Sequence, residues 1–239
     1  SIQVTSELWE TIYMDQIELV AVDRPDDLDV FVPEQFSPPP FPGMQLYQID
    51  KKHYPLSALD GKGRDVLPMV LEKDDQYVSN FESGKYQGIT KMHDLILDPG
   101  AAGQLENLHL FLRGWIFPTD ASINVALSQS ESLKLEVTVI QLIYQKGQWQ
   151  TIETNMSFPM GKDKTVIVDL KDKFLSKARR LRIRTNMEIY WDEIFFGNPI
   201  NERQLVTTVM QAKTADIHYR GFSKEYRKGG RYGPHWFDY

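Results

Sequence analysis

From Arg179 to Gly197 the chain reads RRLRIRTNMEIYWDEIFFG. Leu181, Ile183 and Thr185 alternate with Arg182, Arg184 and Asn186, the mark of a strand with one buried and one wet face. Ile189, Trp191, Ile194 and Phe196 continue the apolar series in β-branched and aromatic residues, and Gly197-Asn198-Pro199 stops it. We read the stretch as two antiparallel strands that close a β-sandwich. Strand-like runs recur at His93–Leu97, Leu108–Phe117, Ile123–Leu127, Lys134–Tyr144, Trp149–Glu153 and Thr165–Leu170. Asp98-Pro99-Gly100 and Lys146-Gly147-Gln148 supply turns between them. Phe174–Ala178 reads as one helical turn, and helical periodicity is otherwise almost missing. Short strands at this spacing predict an all-β chain, a jelly-roll-like antiparallel β-sandwich over residues 92–200.

The flanks of that sandwich follow from the same pattern. VTSELWETIYMDQIEL near the start and IRTNMEIYWDEIFF near the end both place Ile-Tyr-x-Asp-x-Ile after a short polar turn. A strand-like segment follows each, Leu28–Phe36 in one case and Ala215–Phe222 in the other. Such self-similarity predicts a duplicated unit. Residues 1–35 would then be strands of a preceding or duplicated β-unit, and the chain a fragment of a longer protein. In residues 36–91, prolines 38, 39, 40 and 42 exclude a helix or a central strand and predict a rigid connector. Met44–Ile49 follows as a short strand. An irregular edge segment comes next, pinned by Val66, Leu67, Met69, Tyr77, Phe81 and Tyr86. Residues 201–239 read as extra strands and a basic-aromatic tail.

Composition narrows the function classes. A chain of 239 residues with 41% hydrophobic and 25% charged residues can bury a core of one or two domains. A net charge of −6 argues against nucleic acid as a partner. No apolar run approaches the length of a membrane span. The opening lacks the basic and apolar regions of a signal peptide. The absence of cysteine excludes disulfides and thiolate metal sites. It suits a cytosolic protein and a bacterial envelope protein equally.

Trp115, Asp120, Asn124, Trp191 and Asp192 form the candidate ligand-binding set. An aromatic plane beside carboxylate and amide groups suits a sugar, which has an apolar ring face and hydroxyl edges. Against this stands a structural role for each: both tryptophans filling the core, Asp120 capping a turn, and Asp192 buried within its strand as a hydrogen-bonding group. No catalytic residue is assigned. The five histidines lack metal-binding spacing, although His93 and His109 could meet across a sheet. No serine stands in a nucleophile elbow, and no glycine-rich phosphate loop is present. Asp60, Asp65, Asp74 and Asp75 offer oxygens to calcium, but they match no EF-hand spacing and are interrupted by Lys62 and Arg64. No metal or other cofactor is therefore assigned. The tail interleaves Arg220, Lys224, Arg227, Lys228 and Arg231 with aromatics, a pattern for anionic polymers or for docking a neighbouring domain. Asn155-Met156-Ser157 is an N-glycosylation sequon.

Several runs resemble the C-terminal region of bacterial FG-GAP/ASPIC-UnbV proteins, relatives of cartilage acidic protein. They are Leu8–Asp23, Gly63-Arg64-Asp65-Val66, Gly114-Trp115-Ile116-Phe117-Pro118-Thr119-Asp120, Leu181–Asp192, Arg220-Gly221-Phe222-Ser223 and Gly233–Tyr239. The resemblance implies a piece of a large exported protein, working outside the cytoplasm or in the cell envelope, and brings no catalytic residues with it. The central part is also similar to galactose-binding-like jelly rolls, of which many bind carbohydrate and many are only structural. Three functions follow as expectations. The first is a non-catalytic region for adhesion, scaffolding or docking to neighbouring domains and protein partners. The second is a carbohydrate-binding module, and the third a glycan-active enzyme.

Overall fold

The computed structural model describes residues 13–36, 39, 43–143, 147–159, 161, 163–174, 180–200, 205–216, 219, 221, 224–227 and 235–238. In chain order its strands are β1 (Glu18–Asp23), β2 (Asp29–Phe31), β3 (Tyr47–Ile49), β4 (Ser57–Asp60), β5 (Ile89–Asp98), β6 (His109–Ile116) and β7 (Val139–Ile143). They continue as β8 (Trp149–Glu153), β9 (Lys164–Asp169), β10 (Leu181–Met187), β11 (Ile189–Gly197), β12 (Val206–Gln211), β13 (Lys224–Arg227) and β14 (His235–Asp238). One α-helix, α1 (Ala121–Ser128), lies between β6 and β7.

Two antiparallel sheets face each other, so the chain is the all-β sandwich that the alternation predicts. The larger has the order β4-β5-β10-β7-β8 and the smaller β11-β6-β9. Leu95, Leu97, Ile140, Leu142, Leu181 and Ile183 of the larger meet Leu110, Leu112, Val166, Val168, Ile194 and Phe196 of the smaller in one apolar cluster. Each such side chain contributes about 1.5–3 kcal/mol by leaving water. Irregular segments widen the smaller sheet. His53, Leu71 and Val78 bridge to Phe196, Glu193 and Trp191 on the free edge of β11, and Gln35 bridges to Pro159 beside β9.

The stretch read as a closing strand pair is divided between the sheets. β10 pairs with β5 and β7, whereas β11 pairs with β6. Glu188 alone separates them, and one residue cannot make the two-residue loop of a hairpin. The chain instead turns a corner from one sheet to the other. Glu188 fixes that corner: its N–H donates to the Gly88 carbonyl at 3.0 Å, and its own carbonyl accepts from Phe117 N at 2.9 Å.

Two further expectations are corrected. Ile123–Leu127 is part of α1, not a strand. Ile123, Val125 and Leu127 satisfy a period of two, but Ile123 and Leu127 also lie one helical turn apart, and Asp120 accepts from Ile123 N at 2.8 Å as an N-cap. Val125, which a strand would bury with its neighbours, is exposed. Lys134–Tyr144 forms ladder pairs only over β7. Before it, side chains replace the ladder: Asn186 accepts from Glu136 N and donates to the Lys134 carbonyl, both at 2.8 Å, while Thr185 donates to the Glu136 carbonyl.

The N-terminal part of the echo, the proline run and Phe174–Ala178 lie wholly or largely outside the described residues, as does most of the basic-aromatic tail. Of the echo's carboxylates, Asp15 is exposed while Asp192 is fully buried, so the two do not share an environment. β1 pairs with β12 along its whole length, which links the two flanks.

Candidate functional site

The five residues singled out from sequence lie in four different settings. Trp115 is 3% exposed and packs with Phe117 and Tyr190, its ring 5.3 and 5.2 Å from theirs. Trp191 is 4% exposed and belongs to the main core, on the opposite face of the same sheet. Asp120 caps α1, and Asn124 on that helix accepts from the Thr119 hydroxyl at 2.7 Å. Neither tryptophan presents a ring to solvent beside them.

Asp192 occupies a bulge. Trp191 pairs with Gly114 and Glu193 with Arg113, so β11 carries one more residue than β6 at this point. The bulge lets Trp191 and Ile194, three apart, both enter the core. Asp192 accepts from Asp74 N at 3.3 Å, and its second oxygen, Oδ2, is buried with no partner. Burial, and then the neighbouring Asp75, Asp163 and Asp74 carboxylates, push the Asp192 carboxyl up to about 6 against the opposing hydrogen bond from Asp74 N. The Tyr77 hydroxyl lies between two of those neighbours, 3.0 Å from Asp75 and 2.9 Å from Asp163. Glu188, likewise buried, accepts from the Tyr190 hydroxyl at 2.6 Å, and burial raises its carboxyl. No group of three or more His, Asp or Glu side chains able to hold a metal ion occurs among the described residues. Of the calcium candidates, Asp60 is bound to Arg64 Nε at 2.6 Å and to the backbone N–H groups of Lys62 and Arg64. His93 and His109 stand in different sheets. A cavity of about 20 Å³ beside Asp60, His93, Thr185 and Trp191 has room for about one water.

The accessible chemistry lies on the outer face of the five-stranded sheet. Both faces of β11 are buried, but over Leu181–Arg184 of β10 and over β7 only alternate, inward positions are. Register places Leu59, Ile96, Arg182, Gln141 and Thr151 in one row across five strands, all on the outward side. Asp94, Arg184 and Val139 form the next row. On the other flank, Ile143 opposes Trp149. All ten are half-buried or exposed.

Their polar groups are held by one another. Arg182 Nε donates to Gln141 Oε1 at 2.8 Å, and Gln141 Nε2 donates to Thr151 Oγ1 at 3.1 Å. Arg184 Nη1 lies 3.1 and 3.2 Å from the two Asp94 oxygens, and Arg182 Nη1 3.5 Å from one of them. The Arg182 guanidinium also lies over the Trp149 ring, 4.5 Å from its centre. Burial holds its pKa below the usual arginine value, Asp94 acting against that and Arg184 with it. The apolar pair of Trp149 and Ile143 thus stands beside a connected set of donors and acceptors. Such a surface can stack an apolar ring face and bind hydroxyl groups along its edge.

Sequence reasoning missed this face because proximity along the chain selected Trp115 and Asp120. The available signal was the polar half of each alternation, Arg182 and Arg184 above all, together with Trp149 opening the hairpin strand. Cross-strand register, which brings these together, is not written in any one segment. No family model, no curated protein and no solved structure matches the chain.

Proposed function

We propose that this chain is a non-catalytic β-sandwich binding module whose outer five-stranded face takes carbohydrate. The observation that carries the proposal is the array of Trp149, Arg182, Gln141, Thr151, Asp94 and Arg184, fixed by mutual contacts on the open side of a sheet. Pre-formed polar groups cost little ordering on binding, and a half-exposed indole next to them supplies the stacking surface. In this reading the module works where glycans are displayed, outside the cytoplasm or in the cell envelope, as the family resemblance implies.

A glycan array followed by titration calorimetry tests it. Trp149→Ala should lower affinity for the bound sugar at least about 30-fold, equivalent to ~2 kcal/mol. Its melting temperature should change little, because Trp149 is half-buried at a sheet edge. Trp115→Ala should instead lower the melting temperature. Loss of sugar binding on Trp115→Ala in protein that melts normally, with Trp149→Ala silent, would move the site away from the sheet face.

A further inference from the structure

The ribbon formed by β1 and β12 has little to support it among the described residues. A two-stranded ribbon in water is marginal, and this one makes few contacts with the other elements. Its apolar residues are open: Leu19 is 42% exposed, Val206 57%, Val209 57% and Met210 41%. All six positions of β12 are exposed. Among the described residues, neither outer edge of the ribbon pairs with another strand.

The two edges differ in chemistry. β1 carries Glu18 and Asp23 at its ends. β12 is Val-Thr-Thr-Val-Met-Gln, without a charge, a proline or a glycine. Exposed edges are ordinarily blocked by lysine, proline or a bulge. β12 has none of these, and its β-branched residues favour pairing.

We infer that β12 pairs with β12 of a second copy of this chain, joining two ribbons into one four-stranded antiparallel sheet. The sequence of β12 fits itself under the required symmetry. A two-fold axis relating antiparallel neighbours stands normal to the sheet, so opposed residues must point to the same side. With the axis at Thr208, Thr208 faces its own copy, Thr207 faces Val209 and Val206 faces Met210. Each is a β-branched or apolar cross-strand pair, and no like charges meet. The β1 register continues the pattern: Leu19 pairs with Met210 and Ala21 with Thr208, on the face that also bears Val206. Closure about one axis stops the assembly at two copies, because the remaining edges are the charged β1 strands. This interface is remote from the outer sheet face in sequence and does not depend on its ligand.

Sedimentation velocity over a concentration series tests the pairing directly. The wild-type chain should be a dimer that dissociates on dilution, and Thr208→Lys should be monomeric at every concentration with an unchanged sandwich melting temperature. The chain has no cysteine, so single-cysteine variants give a clean second measurement. Opposed residues on paired strands bring their Cβ atoms within about 4.5–5.5 Å. Thr208→Cys should therefore form a disulfide-linked dimer under mild oxidation at least about tenfold faster than Ser128→Cys on the exposed face of α1. A wild-type chain monomeric throughout, a dimer that survives Thr208→Lys, or equal cross-linking at the two positions would each overturn the inference.

Discussion

A carboxyl group with one empty, buried oxygen is a costly thing to place in a core, and Asp192 shows where the cost appears. Among the described residues only the Asp74 N–H reaches it, at 3.3 Å, while three other carboxylates make the potential around it more negative. Its pKa rises from an ordinary 3.8 to about 6. The folded state therefore binds this proton more tightly than the unfolded state does. Stability from protonation is fully present below about pH 3.8 and is lost as pH rises through about 6. The gap is worth about 2–3 kcal/mol at neutral pH. Asp192→Asn keeps the shape and the acceptor while removing the titration. It should raise unfolding stability by about 1–3 kcal/mol at pH 7, and the advantage should close below pH ~4. Urea melts of both proteins across pH 3.5–8 read the difference. Equal slopes against pH would mean that Asp192 is ionised at no cost. The sequence shows an aspartate inside an apolar strand, and a buried structural role is legible from that alone. The bulge that strands its second oxygen is not, since it depends on the register against β6.

Among elements, the β6–β11 pair shows how much of the fold pattern alone can reveal. The apolar series Ile189, Trp191, Ile194 and Phe196 breaks period two between Trp191 and Ile194, and that break is the bulge. β6 answers it with Gly114. A Cβ there would lie 2.4 Å from the Tyr190 carbonyl oxygen and 2.7 Å from Trp191 Cε3, so the indole packs where a side chain would otherwise stand. Gly114→Ala must push back a strand carbonyl or tilt Trp191, both in a packed core. It should cost about 1–3 kcal/mol in denaturant unfolding, and the indole fluorescence of the native state should shift. A neutral substitution would show that the two strands can separate freely at the bulge. β5, β9 and β10 were legible from sequence by their alternation, and β6 as a continuous apolar run. α1 was not, because an eight-residue segment can satisfy both periods, and the Asp120 cap decides between them. The corner at Glu188 was hidden for a different reason. Two strands adjacent in sequence and antiparallel in direction look alike whether they pair or divide between sheets.

At the scale of the molecule, the two sheets are treated unequally. Among the described residues, the outer side of the larger is left uncovered, and the outer side of the smaller is roofed by the N-terminal segment. Phe31 and Tyr47 from the β2–β3 ribbon pack with Ile49 against the stacked Phe111 and Phe195 rings, whose centres are 4.8 Å apart. Glu193 bolts that roof down. It is buried, and it faces Lys52 Nζ at 2.9 Å, the Tyr54 hydroxyl at 2.9 Å and Arg113 at 3.6 Å. Lys52 in turn lies over the Phe31 and Phe195 rings, 5.5 and 4.9 Å from their centres. One carboxylate thus ties the roof to both β11 and β6. Its surroundings follow from contacts across 141 residues of chain, which no local pattern encodes. Glu193→Ala would take the carboxylate from Arg113 in a covered site and leave Lys52 with Asp29 alone, at 4.0 Å. It should cost about 3–5 kcal/mol. Glu193→Gln keeps an acceptor for Tyr54 and Lys52 and should cost less. Glu82 also lies between two cations, Lys62 and Lys91, but in open solvent, so Glu82→Ala should leave stability essentially unchanged. The order of these three variants separates a buried ionic bolt from a surface pair. Hydrogen exchange adds the location: in Glu193→Gln the amides of β3 should exchange faster while those of β5 and β10 keep their protection. Equal acceleration across both sheets would mean that the roof and the sandwich unfold as one unit, with Glu193 serving the whole core and not its cover.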